Sequence, residues 1–170
     1  IRKYAMLANF IDIADHDSKD LKKVLLLAHQ MKSRLISPTP LLGKMVAMIF
    51  EKSSTRTRIS FEVGVKQLGG TPIVLNSSDM QLSRGETIAD TAKVMSRYVD
   101  AVIIRALFHQ TILDFSKNAD IPVINGLSNL SHPCQIMSDI MTIEENFDSV
   151  EELTISWFGD SNNYSKVGLM

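Results

Sequence analysis

The sequence predicts an α/β fold, a parallel sheet with helices on both faces. Short apolar runs alternate along the chain with longer segments whose apolar residues recur at i, i+3, i+4 spacing. Glycine, proline and polar clusters separate the two kinds of segment. Strand–helix alternation of this sort builds parallel βαβ units.

Each element has its own signal. Leu21, Val24, Leu25, Ala28, Met31 and Leu35 form one helical face, with Asp17 and Ser18 ahead of it as capping candidates. Ser37-Pro38-Thr39-Pro40 breaks the chain, and the apolar run from Lys44 to Phe50 reads as a buried strand. Helical spacing returns from Ser54 to Leu68 through Ile59, Phe61, Val65 and Leu68, and Gly69-Gly70 ends it. Ile73-Val74-Leu75 is a second strand. Asn76 to Gly85 is a polar loop of about ten residues, long for a compact α/β connection and therefore a functional candidate.

Thr87 to Tyr98 reads as a helix, with Ile88, Ala92, Met95 and Val99 on one side. Ala101 to Ile104 is a third strand, Gln110 to Asn118 a short helix and Ile121 to Ile124 a fourth strand. Pro133 to Phe147 is a helix with proline at its start, where a missing N–H costs least. Leu153 to Phe158 reads as a fifth strand. The acidic stretch Asp148 to Glu152 suggests a hinge, which divides the chain into a domain at 1–147 and, at 148–170, a hinge with the first strand of a second, truncated α/β domain.

Bulk composition narrows the function classes. The 170 residues include 45% hydrophobic and 22% charged residues, ordinary for a globular chain. With 18 basic and 19 acidic residues the formal net charge is −1, so nothing suggests a nucleic-acid or membrane-surface binder, and any anion site must come from a few placed residues. The lone Cys134 excludes an intramolecular disulfide and favours a reducing compartment, read here as cytoplasm. No apolar stretch reaches the ~18 residues of a spanning helix.

Three motifs carry chemistry. Phe50-Glu51-Lys52-Ser53-Ser54-Thr55-Arg56-Thr57-Arg58 follows a predicted strand and opens a predicted helix. Free N–H groups and the positive end of the helix dipole attract anions there, and a guanidinium adds a planar fork for phosphate oxygens. A plain serine N-cap with solvated arginines explains the same residues about equally well. Arg105 ends the third strand, and open α/β sheets bind ligands beyond the carboxyl ends of their strands. Alone, it also reads as a surface arginine. Ser131-His132-Pro133-Cys134-Gln135 falls on the same rim. His132 can donate to a developing oxyanion and the Gln135 amide can read a polar planar group, although capping by Ser131 beside an exposed histidine is the simpler account. His132 and Cys134 lack a second pair at zinc spacing, and Cys134 has no identifiable partner for nucleophilic chemistry. No glycine-rich phosphate loop is present. Together the three motifs converge on one crevice.

These residues resemble a known family. Phe50 to Arg58, with Ser60-Phe61-Glu62 after it, resembles the signature of the aspartate/ornithine carbamoyltransferases. His132-Pro133-Cys134-Gln135 is similar to that family's second carbamoyl-phosphate motif, and Gly85-Glu86-Thr87 with Asp90-Thr91-Ala92 fits the helix after its mobile loop. Aspartate-specific members usually carry Glu-Pro before the Ser-Thr-Arg-Thr run and His after the arginine. This chain has Glu51-Lys52-Ser53 and Ala106, and Trp157-Phe158-Gly159-Asp160-Ser161-Asn162-Asn163 is similar to the ornithine branch.

The resemblance implies transfer of a carbamoyl group from carbamoyl phosphate to the δ-amine of L-ornithine, giving citrulline and phosphate, as part of arginine metabolism. It implies that Ser54, Thr55, Arg56 and Thr57 hold the phosphate and that Arg105 bridges phosphate and carbonyl oxygen. His132 polarises the carbonyl, Thr57 assists and Gln135 orients the carbamoyl NH2. Gln81 reaches a neighbouring subunit's site in a homotrimer, and Asn163 contacts ornithine. No metal or organic cofactor is implied. Tyr164 to Met170 departs from the small-residue run expected after the asparagine pair, and the family's second-domain residues are absent from the sequence, so the chain alone is expected not to turn over. Other acceptors (aspartate, N-acetylornithine, putrescine) and a non-catalytic carbamoyl-phosphate-binding module are the alternatives.

Overall fold

The computed structural model describes residues 9–76, 80, 85–147, 153–156 and 158. Five parallel strands form one sheet: β1 (Asn9–Phe10), β2 (Met45–Phe50), β3 (Thr71–Asn76), β4 (Ala101–Arg105) and β5 (Val123–Leu127), in the order β1-β5-β4-β2-β3. Among the described residues five α-helices accompany them: α1 (Ser18–Lys32), α2 (Arg56–Gln67), α3 (Ile88–Met95), α4 (His109–Asn118) and α5 (Pro133–Glu144).

The alternation of side chains along each strand divides the core in two. Ala47 and Ile49 of β2, Val102 and Ile104 of β4 and Val123 of β5 face α3 and α4, where Ala92, Ile112 and Phe115 are buried. Val46, Met48 and Phe50 with Ile103 face the other way, onto Phe61 and Val65 of α2. Strands covered on both faces read as unbroken apolar runs, which is why the sequence shows no alternation there. Helix α5 packs on β5, and α1 packs on α5 through His29–Glu144 at 2.8 Å and Lys32–Glu145 at 2.6 Å.

Helix α2 ends as the double glycine predicts. Gly69, at φ +86°, donates to the Lys66 carbonyl at 3.0 Å, and Gly70 donates to Val65 at 2.9 Å, the paired bonds of a Schellman turn.

Three expectations need correction. The short edge strand β1 carries no pattern readable from two residues, and the sequence reading lacks it. The fourth strand begins later and runs to Leu127, because Asn125 is fully buried yet hydrogen-bonded and so can occupy a strand interior. The fifth strand expected at Leu153 to Phe158 is not found among the described residues: 153–156 and 158 lie in no strand, and Ile155 and Phe158 are exposed. A strand needs a neighbour for its N–H and C=O groups. Among the described residues no ladder is offered to this segment. Most of the Asn76–Gly85 loop with Gln81, and residues 159–170 with Asn163, lie outside the described residues.

Candidate active site

Strand order locates the site. From β2 the chain crosses to β3 on one side, then returns to β4 on the other. The connections therefore diverge at the carboxyl ends of β2 and β4, and a crevice opens at such a switch point. Phe50 and Arg105 are register partners there.

Arg105, half-buried at the end of β4, reaches across this crevice. Its Nη1 donates to Oγ1 of Thr57 in the first turn of α2 at 2.8 Å. Its Nε is buried without a partner, and burial lowers its pKa from the usual arginine value. A guanidinium held this way has donor capacity left for an anion.

The two helices that meet the crevice start without a side-chain cap, as α4 also does, whereas α1 and α3 are capped. Helix α1 is capped by the Asp17 carboxylate and α3 by the Thr87 hydroxyl. Helix α2 begins at Thr55 with no side-chain cap, so its first N–H groups are open to a ligand. The serine N-cap considered from sequence is thus not what the helix adopts. Helix α5 begins at His132, also without a side-chain cap; Ser131 is fully buried and does not cap it.

One cleft of about 670 Å³ brings together Arg56, Thr57, Arg105, Leu127, His132 and Gln135. Burial holds the His132 imidazole below its ordinary range; the charge of Arg105 adds to this and Asp139 opposes it. The ring is therefore neutral near pH 7, and its Nδ1 is buried without a partner. Gln135 is exposed and donates to Asp139 at 3.0 Å, which leaves its amide oxygen toward other donors. Ser54 and Thr55 are separated from this group: they line an adjoining cleft of about 370 Å³ with Arg58 and Asn76, on the β3 side of α2. Cys134 borders the main cleft, but burial pushes its thiol up to about 12, so it is no thiolate nucleophile.

Two residues that shape the site had no role assigned from sequence. Glu51 ties the rims of the crevice: its carboxylate accepts from Leu107 N–H at 2.7 Å, and its own N–H donates to the Arg105 carbonyl at 2.9 Å. Asn125 accepts from Leu127 N–H at 3.0 Å, turning the strand so that Leu127 rather than Gly126 pairs with Arg105. Irregular pairing beside a site commonly re-aims a side chain. The available signal was polarity: Asn125 stands next to the run Ile121 to Ile124, and Glu51 sits inside the motif.

Residues 8–145 match the family model for the aspartate/ornithine carbamoyltransferase carbamoyl-P binding domain. The chain belongs to this family. The ornithine carbamoyltransferase of Nitrobacter winogradskyi is 51% identical over 159 residues, which cover 91% of this chain and 52% of that protein. Among solved structures, the Pyrococcus furiosus ornithine carbamoyltransferase superposes with a TM-score of 0.77 at 48% identity, over 81% of this chain and 45% of that one. The Thermus thermophilus ornithine carbamoyltransferase superposes with a TM-score of 0.88 at 31% identity, over 96% and 60%. The chain spans about half the length of the curated carbamoyltransferases it matches. Family membership agrees with the α/β sheet and with the two motifs that meet in the cleft. Among the described residues no helix is long and apolar enough to cross a membrane.

Proposed function

We propose that this chain is the carbamoyl-phosphate-binding part of an ornithine carbamoyltransferase, acting in arginine metabolism in the cytoplasm. The observation that carries the reading is the uncapped N-terminus of α2, bridged by Thr57 to Arg105 and sharing one cleft with His132. Open helix N–H groups and two arginines suit a phosphate, and a neutral imidazole beside them suits a carbonyl oxygen.

On this reading Arg56, Thr57 and the first N–H groups of α2 take the phosphate, with Ser54 and Thr55 moving in from the adjoining cleft. Arg105 spans phosphate and carbonyl oxygen. The neutral δ-amine of ornithine attacks the carbamoyl carbon, and charge collects on the carbonyl oxygen. Arg105, His132 and Thr57 stabilise that charge; one well-placed donor contributes roughly 3–4 kcal/mol in such sites. The C–O bond to phosphate breaks, and the amine proton leaves to the phosphate or to water. Gln135 orients the carbamoyl NH2. Positioning and charge stabilisation suffice, so the step calls for no metal or cofactor.

Gln81 and Asn163, outside the described residues, complete the site. Gln81 reaches the site of a neighbouring subunit in a homotrimer, and Asn163 contacts ornithine. The division at 147/148 puts the amino-acid side of the site in a second domain, and the chain alone does not turn over.

The test uses a full-length protein carrying this chain. It forms citrulline from carbamoyl phosphate and ornithine, and not the corresponding products from aspartate, N-acetylornithine or putrescine. Arg56→Ala lowers the rate by orders of magnitude with folding intact. Near-normal activity in that variant would rule out the site assignment.

A further inference from the structure

His132 does little to fix its own position. It caps nothing with its side chain, its Nδ1 is buried without a partner, and its backbone (φ −138°, ψ 67°) lies outside the helix and strand basins. Its orientation must come from neighbours.

One neighbour holds the chain on both sides of it. Asn125 of β5 has no exposed surface. Its Nδ2 donates to the carbonyl of Ser131, immediately before His132, at 3.3 Å. Its backbone carbonyl accepts from Sγ of Cys134, two residues after His132, at 3.5 Å. Nδ2 also donates to the Ile11 carbonyl at 2.9 Å, just beyond β1, while Oδ1 takes the Leu127 N–H. Both amide protons and the amide oxygen are thus engaged. An apolar residue of similar size would leave the carbonyls of Ile11 and Ser131 without this donor; an aspartate would set a carboxylate against them. The outer part of the 128–131 turn is tied elsewhere, to α4, through Asn129 and His109 at 2.8 Å. Its inner end, next to His132, is closed within the turn by Ser128, whose N–H donates to the Ser131 carbonyl at 3.0 Å and whose Oγ accepts from Ser131 N–H at 3.1 Å, and it is tied to the sheet by Asn125.

We infer that Asn125 is a positioning residue for His132, clasping the chain before and after it and anchoring that turn to the sheet and to the segment after β1. Its catalytic consequence rests on the proposed function; its geometric consequence does not. Fully satisfied buried polar groups of this kind select one arrangement of the backbone. The Ser131 carbonyl also accepts from Ser128 N–H at 3.0 Å and Ser128 Oγ at 3.3 Å, both within the turn, so removing the carboxamide leaves the turn closed on itself but cuts its tie to the sheet, frees it to shift and lets water reach the imidazole.

The experiment is a pH titration of the histidine imidazoles by NMR, on this chain, for wild type, Asn125→Ala and Asn9→Ala. Asn9 is the control: its Oδ1 accepts from Val123 N–H of the same strand at 2.9 Å and bonds nothing near His132. In Asn125→Ala the His132 signals shift and their midpoint rises toward the ordinary histidine value, as water relieves the burial that lowers it. In Asn9→Ala they stay within about 0.1 unit of wild type. In a full-length protein Asn125→Ala lowers kcat about a hundredfold, with KM for carbamoyl phosphate within roughly threefold, since the phosphate donors sit on α2. An unmoved His132 in Asn125→Ala, or an equal shift in Asn9→Ala, overturns the inference. Asn125→Ser carries the same measurement if the alanine variant does not fold. If neither folds while Asn9→Ala does, Asn125 serves the fold and the inference fails. If the wild-type full-length protein makes no citrulline, the proposed function fails, and the NMR outcome still decides the positioning role.

Discussion

Arg105 Nη1 donates to Thr57 Oγ1 across 2.8 Å, and this bond joins the end of β4 to the first turn of α2 over the switch point of the sheet. It sets the guanidinium before any ligand arrives.

Removing that acceptor should weaken anion binding. A hydrogen bond to a charged group contributes about 1.5–3 kcal/mol, so on the proposed function Thr57→Val lowers affinity for carbamoyl phosphate by about 10- to 100-fold. Thr57→Ser keeps the hydroxyl and stays within a few-fold of wild type. Titration calorimetry on the chain measures both, and equal affinities for the two variants would remove the hydroxyl from the account.

The histidine in the cleft should titrate below its ordinary range. Burial first, then Arg105, lower the His132 pKa from 6.5. Between that depressed value and 6.5 the folded chain binds fewer protons than the unfolded one. Its contribution to stability is complete above 6.5 and is lost as pH falls toward the depressed value. Arg105→Gln moves the midpoint up and Asp139→Asn moves it down, read by imidazole NMR. A wild-type midpoint at or above 6.5 would contradict this assignment.

Cys134 should be inert in the folded chain. With its thiol pushed up from 9.0 to about 12, the thiolate fraction at pH 8 is smaller than that of an ordinary cysteine by roughly a thousandfold. Iodoacetamide therefore modifies it slowly in buffer and readily in urea. Rapid alkylation of the native chain would show that the thiol is accessible and ionised.

Two substitutions separate core from turn. Phe115 is 2% exposed between α4 and the sheet, and Phe115→Ala destabilises by about 3–5 kcal/mol. Gly69→Ala places a Cβ at φ +86°, 3.1 Å from Cβ of Thr39, and destabilises by about 1 kcal/mol or more. Urea unfolding of each variant gives both values; an unchanged midpoint for Gly69→Ala would mean that the turn relaxes at no cost.

Much of the architecture was legible because it is written in periodicity. The apolar run through Val46 to Phe50, the helical spacing of Phe61 and Val65 and the stop at Gly69-Gly70 each obey a local rule. The two-residue β1 was not legible, and neither was the extension of β5 through Asn125, since a buried asparagine is acceptable only where distant carbonyls receive its protons. The expected strand at Leu153 to Phe158 had the right composition and no ladder partner among the described residues.

The candidate site divides in the same way. By itself the sequence determined which groups the site contains: a helix start bearing Arg56 and Thr57, an arginine ending one strand and a histidine before another helix, because residue type and strand-end position are local properties. Only the tertiary structure decided that Thr57 and Arg105 bond, that Ser54 and Thr55 sit in the adjoining cleft, that α2 is left uncapped and that Asn125 holds the turn at His132. Thr57–Arg105 and Asn125–Ile11 join residues far apart in the chain, and the other features depend on how α2 and β5 sit in the sheet. Their geometry follows from strand order and burial, which no local pattern encodes.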